Sequence, residues 1–156
     1  MPFTNYLPGV WNDFGQALNT AWPDITQWDR VTDAEKFDWE QLVRDGQLAF
    51  PYGIVLMGDM AEWDDGPADE TYLIGPVAMF YIAQDDGTDK AAAIEAKINA
   101  MNSELLTDTF TTMQVFPGFS TDTGPDTQTA IRELSQKMPA TSGRIVFQCL
   151  IPGPQV

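Results

Sequence analysis

The sequence predicts an α+β fold, with a mostly antiparallel or mixed sheet of about four strands, a long hairpin, and helices packed against it. Three observations predict it. Residues 71–83 form an almost uncharged run of aromatic, β-branched and other apolar side chains, the composition of a strand. A polar turn at 84–87 then leads into Ala91, Ile94, Ile98, Met101 and Leu105, spaced by three and four as the apolar stripe of an amphipathic helix. Lastly, the strands follow one another through hairpins or through helices on one side. The regular alternation that a doubly wound parallel sheet requires is missing.

At 156 residues the chain is read as a single α+β domain, 1–156, large enough for a core without disulfides or metal. Its ends are read as an irregular arm (1–10, with Pro2, Pro8 and Gly9) and a short tail (152–156). Trp11, Phe14, Leu18 and Trp22 fall at helical spacing and predict a helix over about 12–21, ended before Pro23. Thr32 and Glu35 have capping-box spacing, so a second helix is expected from Asp33 to about Val43, stopped near Gly46. The alternation of Phe37 and Trp39 leaves a strand open there.

Phe50 to Gly58 reads as the first strand, with Pro51 tolerated at its beginning. A polar connection, 59–70, turns at Asp64-Asp65-Gly66-Pro67 and leads to the long strand 71–83. The helix after it runs to Leu106, with Thr88 or Asp89 expected to supply the capping oxygen. Thr109 to Phe116 predicts a further strand, 117–126 a loop, and Ala130, Ile131, Leu134 and Met138 a short helix ended by Pro139. Gly143 to Ile151 is the last strand.

The long strand carries a second message. Tyr72, Ile74, Ala78, Phe80 and Ile82 point to one face, and Leu73, Val77, Met79, Tyr81 and Ala83 to the other. Both faces are apolar and both need cover. One helix covers one face; the other requires more of the same chain or a second molecule. Fully extended, the run reaches about 43 Å at ~3.3 Å per residue, longer than a small sheet needs. Tyr72, Ile74, Val77, Met79 and Tyr81 are therefore candidate subunit-interface residues.

Composition excludes several chemistries. The chain has no histidine, which removes His-based triads, His-ligated metals and the commonest general base. The single cysteine, Cys149, lies in an apolar run without a CxxC partner, so thiol redox and thiolate zinc are not expected. Neither phosphate-binding glycine pattern occurs. No segment approaches the ~20 apolar residues of a membrane span, and Met1-Pro-Phe-Thr-Asn lacks the pattern of a signal peptide. With 23 acidic and 8 basic residues the formal net charge is −15, which disfavours binding to a nucleic-acid backbone.

The remaining candidates are carboxylates and aromatics. Asp64, Asp65, Asp69 and Glu70 cluster at the hairpin, and Asp85, Asp86 and Asp89 at the turn before the helix. Either group has oxygen ligands for a hard cation, but glycine at the third position of the second departs from EF-hand spacing. Solvated turns are the plainer reading, and no cofactor or metal is expected. Trp28 and Trp63, beside acidic turns, are either core or anchors for a protein contact.

An N-terminal helix, a strand opening at Pro51-Tyr52, a hairpin into strand 71–83, the helix 89–106 and a last strand together resemble the tail terminator (tail completion) family at the head–tail junction of long-tailed bacteriophages. The resemblance spans residues 10–116 and 143–151, with 23–46 and 117–142 as additions. It implies a virion protein made in the host cytoplasm and working without catalysis. It also implies a homo-oligomeric ring, commonly a hexamer, that caps the tail tube and docks the head connector or neck proteins. In such a ring the hairpin 55–83 is expected to leave the body and touch a neighbour. Asp64, Asp65, Asp69 and Glu70 are the candidate acidic channel or docking surface, past which DNA moves without specific binding. Two readings compete with it: an acidic monomeric adaptor or inhibitor that occupies a basic protein partner, and a hydrolase using aspartates with a divalent ion.

Overall fold

The computed structural model describes residues 7–31, 38–46, 49–57, 61–62, 72–107, 110, 114–117, 136 and 141–152. In chain order the elements are α1 (Leu7–Ala21), β1 (Gln27–Val31), α2 (Trp39–Arg44), β2 (Tyr52–Met57), β3 (Ala61–Glu62), β4 (Tyr72–Ile82), α3 (Ala91–Leu105), β5 (Gln114–Pro117) and β6 (Ser142–Pro152). The strands form one mixed sheet in the order β1-β2-β4-β6-β5, with β3 paired to part of β4. β1 and β2 run parallel; the other pairings are antiparallel. The architecture is α+β, as the sequence predicts.

β4 lies at the centre, between β2 and β6, and β6 pairs with it along its whole length from Tyr72↔Pro152 to Ile82↔Ser142. Its even and odd residues feed two separate cores. On one face Val77, Met79 and Tyr81 join Val55, Met57, Phe147, Cys149 and Ile151 beneath α1 and α3. On the other, Ala78, Phe80 and Ile82 join Val31, Tyr52, Ile54 and Leu56. The residues of this second cluster are at most 5% exposed in the isolated chain. Over residues 77–82 the single chain therefore shelters both faces of the strand, the first of the two kinds of cover the sequence leaves open.

α1 enters the first core through Phe14 and Leu18, with Trp22 just past its end, and α3 through Ile94, Met101 and Leu105, all buried. The helices approach closely because the sheet offers glycine beneath them. In one row across three strands, Tyr81 pairs with Gly53 on one side and Gly143 on the other. An added Cβ at Gly143 would lie 2.3 Å from Ile94 Cγ2, so a side chain there and α3 in its present seat exclude each other.

Several expectations need correction. α1 begins at Leu7, not near residue 12, so the irregular arm is shorter than residues 1–10. Pro8 falls in its first turn, where a missing N–H costs nothing. β1 was not expected: Gln27-Trp-Asp-Arg-Val31 is polar because only part of it is covered. α2 is capped by Asp38, whose Oδ1 accepts the Gln41 N–H at 3.0 Å. Thr32 and Glu35 lie outside the described residues, as do half of the expected strand 109–116, whose end is β5, and all but residue 136 of the expected helix near 130–138.

Candidate interaction surfaces

The structure withdraws three of the five predicted interface residues from the surface. Val77, Met79 and Tyr81 are 0%, 0% and 5% exposed, inside the helix-side core, and are not available to a neighbour. Ile74 is half-buried on the opposite face, and the side chain of Tyr72 lies outside the described residues. β2 and β4 sit in the middle of the sheet, so their paired parts do not leave the body as an extended hairpin. Asp64, Asp65, Asp69, Glu70 and Trp63 lie outside the described residues.

The acidic turn before α3 is occupied with itself. Asp85 Oδ1 accepts the Gly87 N–H at 3.3 Å. Asp86 Oδ1 accepts the Thr88 amide at 3.1 Å and its hydroxyl at 2.6 Å. Asp86 Oδ2 pairs with Lys90 Nζ at 3.1 Å. Asp89 Oδ1 accepts the Ala91 N–H at 2.9 Å, satisfying one open donor of the first helical turn. The Thr88 donors, and then Lys90, hold the Asp86 carboxyl well below the usual range. Gly87 closes the turn at φ +82°, a conformation that glycine adopts freely. Among the described residues no three Asp, Glu or Cys side chains are grouped to hold a metal ion.

Two clusters that the sequence did not announce tie the layers together. In the first, Tyr81 reaches out of the core so that its hydroxyl donates to Asp24 Oδ2 at 2.6 Å. Lys97 Nζ donates to Asp24 Oδ1 at 2.8 Å and lies 5.6 Å from the Tyr81 ring centroid. Trp22 packs edge-on to Tyr81, ring centroids 5.3 Å apart, and its Nε1–H donates to the Lys97 carbonyl at 2.8 Å. α1, β4 and α3 thus meet at one aspartate. Burial pushes Asp24 up, but the hydrogen bonds from Lys97 and Tyr81 outweigh it and hold the carboxyl below its ordinary value. Burial, and then Asp24, push the Tyr81 hydroxyl far up. The cluster is a structural joint at the surface, with Asp24 itself exposed.

The second cluster lies at the β1 margin. Trp28 and Arg30 point to the helix side, where the Arg30 guanidinium stands 5.3 Å from the Trp28 ring centroid and 5.5 Å from that of Trp11. The two indoles are 6.3 Å apart. Trp28 is partly buried against the core and Arg30 is exposed. Trp28 therefore packs against the core, the first of the two readings the sequence left open, while its ring also supports a surface cation of the same chain. The spacing Trp28-x-Arg30 is a period-2 signal that points to this cluster once β1 is recognised as a strand.

On the other face Asp29 neighbours Tyr52, and burial followed by that carboxylate pushes the tyrosine hydroxyl far up. Cys149 is fully buried, its thiol pushed up to about 12 by desolvation, which makes it an inert core residue. Comparison with known proteins found no family model that matches the chain and no matching curated protein.

Proposed function

We propose that this chain is a structural, non-catalytic protein of the head–tail junction in a long-tailed bacteriophage. In this reading copies form a ring, commonly a hexamer, that caps the tail tube and receives the head connector and neck proteins. The observation that carries the proposal is the element order. A first helix, the β2/β4 pair, a second long helix on the same face and a last strand beside β4 make up the arrangement on which the family resemblance rests. The acidic balance of −15 fits a part that DNA passes without adhering. No helix among the described residues is long and apolar enough to cross a membrane.

The proposal no longer draws on the faces of β4, which the chain covers itself. Contacts between copies must then use strand edges, loops and charged side chains. The test is to mix the purified protein with tail tubes and examine the product by electron microscopy, with sedimentation velocity of the protein alone. Rings at tube ends support the reading. A monomer that leaves tube ends bare refutes it. If that monomer instead captures a basic protein in a salt-sensitive way, the adaptor reading replaces it, and a self-sheltered sheet suits that equally well.

A further inference from the structure

We infer that the β1 edge, with Arg30 at its centre, is the surface through which one copy of this chain takes a carboxylate-bearing segment of a second copy. This inference rests on the ring reading above and names the contact it needs. β1 is the terminal strand of the sheet in the described residues, with β2 its only strand partner there. An edge strand presents a row of backbone N–H and C=O groups to whatever lies beside it.

Arg30 gives that edge a sign. Its guanidinium is exposed yet held over the faces of Trp28 and Trp11. Stacking orders a side chain that would otherwise lose rotamer freedom on binding. Adjacent residues of a strand point to opposite faces, so Asp29 does not meet it from the same face. Three other described cations are engaged elsewhere: Lys90 with Asp86, Lys97 with Asp24, and Arg44 with Gln41 Oε1 at 3.1 Å.

Charge selects the occupant. The chain carries 23 carboxylates against 8 cations, so two copies that approach at random meet like charge. A pre-ordered guanidinium on a strand edge is where that repulsion is locally reversed, and arginine beside tryptophan is the composition of an interface anchor. The surface that best matches it in charge is the acidic remainder of another copy.

The test compares the wild type with R30E, R30A and R30K, using sedimentation velocity and native mass spectrometry of protein alone and on tail tubes. Far-UV circular dichroism and thermal melting of each variant accompany these measurements. R30E is expected to weaken assembly at least about tenfold and R30A less, with R30K partly restoring it through its charge. Hydrogen exchange of the wild type supplies a second readout that needs no variant. Amides 27–31 should exchange more slowly in assembled than in dilute protein. Wild-type rings with unchanged exchange at 27–31, or folded R30E that assembles normally, overturn this inference and leave the ring reading standing. A wild type that never assembles overturns both.

Discussion

The close seat of α3 on the sheet depends on a missing side chain at residue 143, and replacing Gly143 with alanine tests that directly. The new Cβ would lie 2.3 Å from Ile94 Cγ2, and 3.1 and 3.2 Å from Ile98 Cγ1 and Cδ1. Ile94 is β-branched and 8% exposed, so its Cγ2 does not swing away without moving the helix. Overpacking of this kind costs about 1–3 kcal/mol. Against it stands about 0.4–1 kcal/mol gained because alanine restricts the unfolded chain, the backbone at 143 being open to any residue. The net expectation is a loss of about 1–2 kcal/mol. For a chain of this length that is a fall of about 2–8 °C in melting temperature. Gly53 provides the control: its added Cβ meets the terminal Cδ1 of Ile25 at 2.9 Å, which gives way cheaply, and Trp28 Cβ at a milder 3.2 Å, so G53A should cost less than G143A. A double-mutant cycle completes the case. I94A removes the clashing methyl, so G143A in that background should be neutral or stabilising, with a coupling of about 1 kcal/mol or more. Thermal and urea unfolding measure all four corners. A neutral G143A, or additive corners, would refute the claim that glycine permits this packing.

Four further outcomes follow from the same coordinates. Asp24 has a folded-state pKa below its ordinary 3.8, so its contribution is present above that value and lost as pH falls through the lower, folded one. Wild-type stability should accordingly drop in acid more steeply than that of D24N, and parallel curves would contradict the assignment. Tyr52 and Tyr81 are pushed above 10.0, so stability should be full below that pH and decline as it rises further; Y52F should flatten the decline in alkaline melts. Cys149 should resist a thiol reagent in native protein and react on unfolding, and rapid native labelling would place it wrongly. Because the carboxylates at 85–89 are taken up within their own turn, Mg²⁺ or Ca²⁺ should leave the melting temperature unchanged; a rise would show a cation site.

What the sequence makes legible is what periodicity controls. The alternation in 72–82 assigns each side chain of β4 to its face, and the three-four spacing places Ile94, Met101 and Leu105 inward. Signals that depend on cover from elsewhere in the chain are not legible this way. β1 escaped because an edge strand needs no continuous apolar stripe, and Gln27-Trp-Asp-Arg-Val31 looks like a loop until β2 is laid beside it. The caps show the same limit in miniature. A capping pattern at Thr32 and Glu35 competed with a plain aspartate at 38, and only the described helix start shows Asp38 accepting the Gln41 N–H. Likewise two apolar faces require cover, but periodicity does not say who supplies it. Alternation alone makes Tyr81 a candidate interface residue for that reason, whereas its hydroxyl anchors Asp24 within the chain.

That last point changes what kind of assembly this chain can enter. An obligate oligomer leaves part of its core to the neighbour, so folding and association become one event and stability rises with concentration. Here Val77 and Met79 are sealed by α1 and α3, while Phe80 and Ile82 are sealed on the reverse face, all within one chain. The chain is therefore able to fold before any association, and the proposed ring would have to join through edges and charges rather than through a shared core. Self-repulsion from a net charge of −15 then keeps free copies apart. Under the proposed reading, a surface supplied by another component, such as the end of a tube, would raise their local concentration and offset that repulsion. Delayed, template-driven association is what a part added last to a growing structure requires. A self-sheltered sheet is thus compatible with ring formation, while shifting the search for its contacts from the faces of β4 to the edge at β1.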